Sequence, residues 1–384
     1  MKVVFLSNYY NHHQSSFSLA MDKLTNGNFY FIETAEMPKE RIILGYNIEK
    51  PNFVLQNYLS EGHKQECQTL IDEADVVIWG SAPYNLLKTR LKAGKLTIAY
   101  SERLYKSKKL NFLRFIKRIL FDFRLRYKNF YLLCASAYTS ADYAKTFNFI
   151  NKAYKWGYFT PTKTYSNFNS LLENKKPNSI LWVARLLALK HPEAAIEVVK
   201  MLKNNGYNVN LNLIGDGEQM ENVKSLVSNY NLENEVTIHG ALKTEEVRKY
   251  MEQSQIFLFT SDRCEGWGAV LNESLNSGCA VVASHAIGSV PFLLQDGKNG
   301  FIYKDGDIND LFNKVKYLLD NEAERINMQK LAYETIINEW NAENAAKKLI
   351  ELLTKLLNGE NVETLFESGV CSKAKILKDN WFKK

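Results

Sequence analysis

Short apolar runs rich in Val, Ile, Leu and Phe recur along the chain, each followed by a longer stretch in which apolar residues return every three or four positions. The short runs read as buried strands and the longer ones as amphipathic helices. In the first half the pattern predicts strands at 2–7, 29–33, 75–79, 96–100 and 129–134, with a helix over roughly 16–24. In the second half it predicts strands at 179–183, 210–214, 236–239, 256–259 and 280–283, alternating with helices at 192–204, 219–230, 244–254 and 269–276. Three further helices, 307–321, 322–339 and 342–357, follow. Regular strand–helix alternation builds parallel sheets covered by helices, so the class is α/β. Residues 159–178 interrupt the pattern with polar, irregular sequence and two prolines, Pro161 and Pro177, and read as a linker. At 384 residues the chain suits two domains rather than one core.

Residues with chemistry to offer gather in the loops after the second-half strands. Strand 256–259 runs into a polar loop carrying Glu265-Gly266-Trp267-Gly268, then a helix and a β-branched strand. A helix N-terminus after a glycine pair presents unpaired amides and the positive end of the helix dipole, a setting for phosphate. Glu273 lies eight residues beyond Glu265. A fully helical span of that length covers about 12 Å, so the two acids cannot grip one atom but could hold two ends of an extended ligand. Ionised carboxylates only accept hydrogen bonds, which makes hydroxyls their natural partners. Without further context, both acids read equally as solvated charges at a helix end. The loop after strand 179–183 holds Arg185 and Lys190, a fork and a point charge suited to a diphosphate, although a basic loop is ordinarily just solvated.

Segment 261–303 resembles the signature of the retaining glycosyltransferases of family four, a large group with the GT-B fold. That pattern is an acid, Gly, an aromatic or apolar residue, Gly, a short apolar run, a second acid, then a small residue before Gly and Val-Val-Ala. Here the positions are filled by Glu265, Gly266, Trp267, Gly268, Glu273, Gly278, Val281, Val282 and Ala283, with Gly288, Asp296, Gly297 and Gly300 downstream. Arg185 and Lys190 match the family's G-R-L-x4-K element, Ala184 standing in place of its glycine. Gly215-Asp216-Gly217 is a further match.

The resemblance implies a GT-B fold, two Rossmann-like domains facing each other across a cleft. The expected boundaries are an acceptor domain 1–158, linker 159–178, donor domain 179–358 and tail 359–384 packing back on the first domain. It implies transfer of a sugar from a UDP- or GDP-linked donor to a hydroxyl acceptor, with retention of anomeric configuration and no metal or other cofactor. By the same resemblance Arg185 and Lys190 hold the diphosphate, Glu265 the donor sugar and Glu273 the ribose. Gly215, His239, Gly240, Gly266, Trp267, Gly268, Ala269 and Val270 line the donor. Two other readings are a non-catalytic nucleotide-sugar binder, expected to have lost Glu265, Arg185 or Lys190, and a GT-B sugar-nucleotide 2-epimerase, expected to carry more acids and histidines.

On the acceptor side, the loop after the first strand carries Asn11, His12 and His13, at the strand edge where such sheets bind ligands. It contains no G-x-G-x-x-G, so a dinucleotide is not expected there. Ser101 and Glu102 stand where many family members have a histidine, and Glu102 is either a substitute, an acceptor-binding acid or structural. Residues 103–128 hold ten Lys/Arg against one acid, Asp122. Leu113, Ile116, Leu120 and Phe123 recur among them at helical spacing. Either that stripe packs on the first sheet beneath a solvated basic face, or the segment lies on an anionic membrane surface. No nucleic-acid module surrounds it, so nucleic acid is not an expected partner.

Composition adds little. Net charge is a modest +7, and 46% hydrophobic with 24% charged residues reads as globular. Five scattered cysteines without CxxC spacing argue for a reducing compartment, hence a cytoplasmic protein, peripheral on the membrane if 103–128 binds there. The acceptor expected from the family is a glycan or lipid-linked oligosaccharide in cell-surface polysaccharide synthesis.

Overall fold

The computed structural model describes residues 1–43, 47–106 and 112–382. It divides into two compact units, Met1–Pro161 with Asn341–Lys378, and Thr162–Trp340 with Asp379–Lys384.

The first unit is built on seven parallel strands: β1 Val3–Ser7, β2 Phe29–Glu33, β3 Val54–Gln56, β4 Val76–Trp79, β5 Thr97–Ser101, β6 Phe130–Cys134 and β7 Ala153–Lys155. Their order is β3-β2-β1-β4-β5-β6-β7, so the chain reverses its direction of travel across the sheet between β1 and β4. Strands covered on both faces need apolar residues at every position, which is why Val3, Val4, Phe5 and Leu6 form one unbroken buried run. Edge strands β3 and β7 escaped the sequence pattern because three residues are too few to show a period. The first helix, His12–Leu24, starts ahead of the expected position because Asn11 caps it. Asn11 is extended at φ −152°, and its side chain accepts the His13 N–H at 2.9 Å.

The second unit carries β8 Ser179–Val183, β9 Asn210–Ile214, β10 Val236–Gly240, β11 Ile256–Phe259, β12 Ala280–Ser284 and β13 Phe301–Tyr303. They lie in the order β10-β9-β8-β11-β12-β13, all parallel, with the reversal between β8 and β11. Helix Pro192–Asn204 buries Ala195, Val198, Val199 and Leu202 against this sheet. Each of its larger aliphatic side chains gains about 1.5–3 kcal/mol from leaving water.

Two domain limits differ from expectation. Helix Ala342–Leu357, expected inside a donor domain of 179–358, belongs to the first unit and packs on His12–Leu24. Its stripe of Ala345, Ala346, Leu349, Leu352 and Leu353 is buried, and an amphipathic helix settles where that stripe is covered. The expected linker 159–178 is mostly a fixed part of the second unit. It contains helix Phe168–Glu173, and the buried Lys175 ammonium donates to the carbonyls of Met251, Glu252, Ser254 and Ser277 at 2.9–3.0 Å. The tail also divides. Ser140 Oγ donates to the Lys375 carbonyl at 2.7 Å within the first unit, whereas Asp379 pairs with Arg263 at 3.2 Å within the second. The helix expected over 322–339 ends at Glu334 and continues as a π-helical turn, Thr335–Glu339.

The apolar stripe of residues 103–128 is where the structure departs most from an ordinary packed helix. Residues 107–111 lie outside the described residues. In helix Phe112–Phe123, Leu113 is 67% exposed, Ile116 38%, Leu120 63% and Phe123 64%, so the stripe does not pack on the first sheet. Among the described side chains of this helix, the buried one is the acid, Asp122.

Candidate functional site

Open parallel sheets bind ligands beyond the C-terminal ends of their strands, at the point where strand order reverses. In the second unit that point lies between β8 and β11. The loops leaving these two strands are tied together there. Thr260, just after β11, donates through Oγ1 to the carbonyls of Lys190 and His191 at 2.7 and 3.0 Å, and accepts from Trp182 Nε1 at 2.8 Å. The Asp262 amide donates to the Leu189 carbonyl at 3.0 Å.

This clamp brings Lys190 against Glu265. The Lys190 ammonium donates to Glu265 Oε2, and Ser261 Oγ donates to the same oxygen at 3.1 Å. Both side chains are largely shielded from solvent, at 14% and 13% exposure, so the pair sits in a medium where charge interactions are stronger than in water. Arg185, five residues earlier, is exposed, and its side chain has no ion-pair or hydrogen-bond partner among the described residues. An exposed cation beside a satisfied one leaves a local excess of positive charge.

His191 follows Lys190 directly and lies between two acids. It holds a left-handed conformation at φ 50° immediately before Pro192, with its ring between Glu193 at 2.6 Å and Asp262 at 3.6 Å. The hydrogen bond to Glu193 raises its pKa first, burial opposes this, and the charges of Glu193, Asp262 and Asp305 raise it further.

The neighbouring loops approach closely because of glycine. Gly215 follows β9 at φ 142°, and a Cβ there would lie 1.8 Å from the Ala184 carbonyl oxygen. Its amide donates to the Gly240 carbonyl at 2.8 Å, which draws the ends of β8, β9 and β10 together. Gly268 turns at φ 81° with Phe259 and Glu265 beside it, a Cβ meeting Phe259 Cζ at 2.3 Å. No side chain could stand there without moving that ring.

Of the remaining candidates, Trp267 is 1% exposed, its Nε1 donating to Asn272 at 2.9 Å and its ring lying against Trp340 and Phe292. Its side chain anchors the loop from within the core, leaving only its backbone to face a ligand. Ala269 and Val270 follow at the start of helix Val270–Asn276. The amides of Gly266, Gly268, Ala269 and Val270 reach no acceptor among the described residues. Glu273 is on that helix, with its carboxylate likewise unpaired among the described residues. Burial raises its pKa, and Arg248 partly offsets this. Arg248 fixes the far end of the same helix, donating to the Glu273 carbonyl at 3.0 Å, Ser277 Oγ at 2.8 Å and Asn276 at 3.0 Å. His239, at an irregular register step of β10, bonds through Nε2 to Asn212 at 2.8 Å and lies 4.7 Å from the Tyr250 ring. Burial lowers its pKa.

In the first unit the candidates also converge, through a residue the sequence pattern did not single out. The Tyr158 hydroxyl donates to Glu102 Oε1 at 2.5 Å, and its ring stacks on His13 at 5.2 Å and 12°. Lys106 holds the other Glu102 oxygen at 2.8 Å. His12 and His13 rings are 4.0 Å apart, and both pKa values are lowered. For His13 the value falls to about 3, through burial and then the charges of His12 and Arg41. Glu33 is a second acid missed in sequence. It is 1% exposed, accepting the Tyr10 N–H at 2.7 Å and Lys50 at 2.7 Å, and nothing but its strand-end position signalled it.

Among the described residues, no group of three or more His, Cys, Asp or Glu side chains could hold a metal ion. No described helix is long and apolar enough to cross a membrane.

Comparison with known proteins adds a family match over part of the chain. Residues 164–335 match the model of the glycosyl transferases group 1. The chain is 30% identical over 186 residues to the amylovoran biosynthesis glycosyltransferase AmsK of Erwinia amylovora, covering 47% of this chain and 46% of AmsK. It is 25% identical over 170 residues to the poly(ribitol-phosphate) alpha-N-acetylglucosaminyltransferase of Staphylococcus aureus, covering 44% and 34%. The chain thus spans less than half the length of these relatives. Among solved structures it resembles HepE of Anabaena in complex with UDP, with a TM-score of 0.69 at 16% identity over 92% of this chain and all of the other. TarM follows, with a TM-score of 0.67 at 12% identity over 93% and 99%. At such identities these two structures establish the fold, two parallel-sheet α/β units of GT-B type.

Proposed function

We propose, because residues 164–335 match the model of the glycosyl transferases group 1, that the chain transfers a sugar from a nucleoside diphosphate sugar to a hydroxyl acceptor. The contact between Lys190 and Glu265 at the β8/β11 reversal, beside exposed Arg185, carries this reading. It puts a cation for the leaving diphosphate next to an acid for the sugar. Arg185 forks onto phosphate oxygens, Lys190 supplies a point charge, and the amides of Gly266, Gly268, Ala269 and Val270 complete the cradle. As the glycosidic bond breaks, negative charge grows on the diphosphate, and groups already aimed there stabilise it without reorganising. In this scheme the cations take the part that a metal would play. Glu273 accepts from the ribose hydroxyls, and the loop at His239 and Gly240 receives the base. HepE binds UDP, which makes uridine the first base to try.

We assign retention of configuration, with Glu265 holding the donor sugar on the face where the acceptor enters. The acceptor is a glycan or lipid-linked hydroxyl of surface-polysaccharide synthesis, in keeping with AmsK's role in amylovoran biosynthesis. Its contacts come from the first unit's strand ends, where Asn11, His12, His13 and Glu102 lie. Asn11 is already engaged as a helix cap, so the two histidines and Glu102 are the stronger members of that set.

The test is incubation with UDP- and GDP-linked sugars, reading nucleotide release and then the anomeric configuration of the product by NMR. Release with an α-linked product from an α-linked donor supports the proposal. No release from any donor in the presence of pooled glycan and lipid-linked acceptors overturns it, and a β-linked product overturns retention.

A further inference from the structure

Helix Phe112–Phe123 buries its one acid and leaves four large apolar side chains exposed. Its acid faces inward: Asp122 is fully buried, pairs with Arg118 at 2.8 Å and accepts from Thr146 Oγ1 at 2.6 Å. Four of its apolar residues, Leu113, Ile116, Leu120 and Phe123, spaced three, four and three apart, form one outward face, while Ile119 and Phe121 are partly buried. Leaving four large apolar side chains in water on one stripe is costly, and such a patch marks a binding surface.

The patch continues past the helix. Phe147 is 71% exposed and Ile150 52%, on a loop where Phe147, Phe149 and Asn151 all hold left-handed conformations at φ 55°, 51° and 60°. Bulky residues avoid that region, so the local structure is holding this loop in place against its preference. The loop is joined to the helix end. Arg126 donates to the Thr146 carbonyl at 3.0 Å while covering the Phe123 ring at 5.0 Å, and Asn148 donates to the Asp122 carbonyl at 3.1 Å. A cavity of about 410 Å³ opens between the two segments, lined among others by Arg126, Lys128, Phe147, Ile150 and Lys152.

We propose that this face docks on an anionic phospholipid bilayer. Leu113, Ile116, Leu120, Phe123, Phe147 and Ile150 would enter the headgroup boundary while Lys117, Arg124, Arg126 and Lys128 meet lipid phosphates. Exposed apolar groups ringed by cations fit that occupant on both counts. A second copy of the chain fits it poorly, since the same basic face would meet itself. Nucleic acid would leave the six apolar side chains unused. The inference rests on the first unit alone and does not depend on the donor site.

Flotation of the purified chain with vesicles tests it. The wild type is expected to float with vesicles of phosphatidylcholine and phosphatidylglycerol at 7:3, less with phosphatidylcholine alone, and less again in 0.5 M salt. Replacing Leu113, Leu120 and Phe123 together by Gln should weaken binding at least tenfold with an unchanged melting temperature. Replacing Lys117, Arg124 and Lys128 by Gln should cost about fivefold per cation at low salt. Phe123→Trp reads insertion directly, as a blue-shifted difference fluorescence on adding vesicles. No flotation of the wild type, or flotation unaffected by both sets of substitutions, overturns the proposal. So does a dimer in sedimentation that the Gln triple variant breaks while vesicle binding is absent.

Discussion

Lys190 and Glu265 come from opposite sides of the strand reversal in the second unit, yet the ammonium donates directly to the carboxylate. Each satisfies the other's charge. A diphosphate must therefore share Lys190 with Glu265 or draw it away, and the acid works against the anion in the resting state. Glu265→Gln removes that opposition. Binding of UDP alone should stay equal or tighten up to about tenfold, while sugar transfer falls about 10²–10³-fold through loss of the group at the reacting sugar. Titration calorimetry and steady-state rates separate the two effects. Parallel loss of both would show that Glu265 merely supports the loop.

Arg185 offers the opposite case. It is exposed and unpartnered among the described residues, so Arg185→Ala should change stability by no more than about 0.5 kcal/mol. Losing a charge-assisted contact of about 1.5–3 kcal/mol should still weaken UDP binding by roughly 10–100-fold. A large fall in melting temperature would mean that the residue serves the fold.

Glu273 links binding to pH. Burial raises its folded pKa above the ordinary 4.5, so the folded state holds the proton more tightly than the unfolded chain. Its contribution to stability is full below the unfolded value and is lost as pH rises through the folded one. As pH rises through the folded value, the wild type therefore takes on the cost of a buried charge. Glu273→Gln should melt higher than wild type at pH 7.5, with the advantage disappearing below about pH 4. It should bind UDP about tenfold more weakly for want of a ribose acceptor. A lower melting temperature at pH 7.5 would contradict the reading.

His13 acts in the other direction. Its pKa is lowered to about 3 by burial, then by His12 and Arg41, so the folded state keeps it neutral while the unfolded chain takes up a proton. Stability from this group is present above pH 6.5 and is lost as pH falls towards 3. The loss is about 2 kcal/mol between pH 6.5 and 5. Chemical denaturation should show that acid limb in the wild type and a flatter one in His13→Gln.

Sequence made much of the second unit legible because its chemistry sits at strand ends with fixed neighbours. Arg185, Lys190, Gly215 and Glu265 could be picked out through the resemblance to a family's motifs; the structure sets Arg185, Lys190 and Glu265 in the loops of the β8/β11 reversal, with Gly215 beside them after β9. The clamp that joins them could not be read. Thr260 and His191 act through two carbonyls and one left-handed residue, and neither leaves a periodic trace. Trp267 misled in the opposite sense, since a glycine-flanked aromatic in a binding loop turns its ring into the core. In the first unit, Tyr158 lies far along the chain from both His13 and Glu102, so only the fold could show that it touches both. The stripe from Leu113 to Phe123 had the right period but the opposite face buried, because the inward side is set by Asp122 and its partners Arg118 and Thr146. Periodicity locates an apolar face and leaves open what covers it.

The central claim is that a nucleoside diphosphate binds at the β8/β11 reversal, and thermal shift with UDP, GDP and ADP tests it most directly. A nucleotide at 100 times its dissociation constant adds about 2.7 kcal/mol of stability. One nucleotide should stabilise the wild type by that order, and Arg185→Ala and Lys190→Ala should each remove about half of the shift or more at the same concentration. Stabilisation that survives both substitutions, or none with any nucleotide, would contradict the site assigned here.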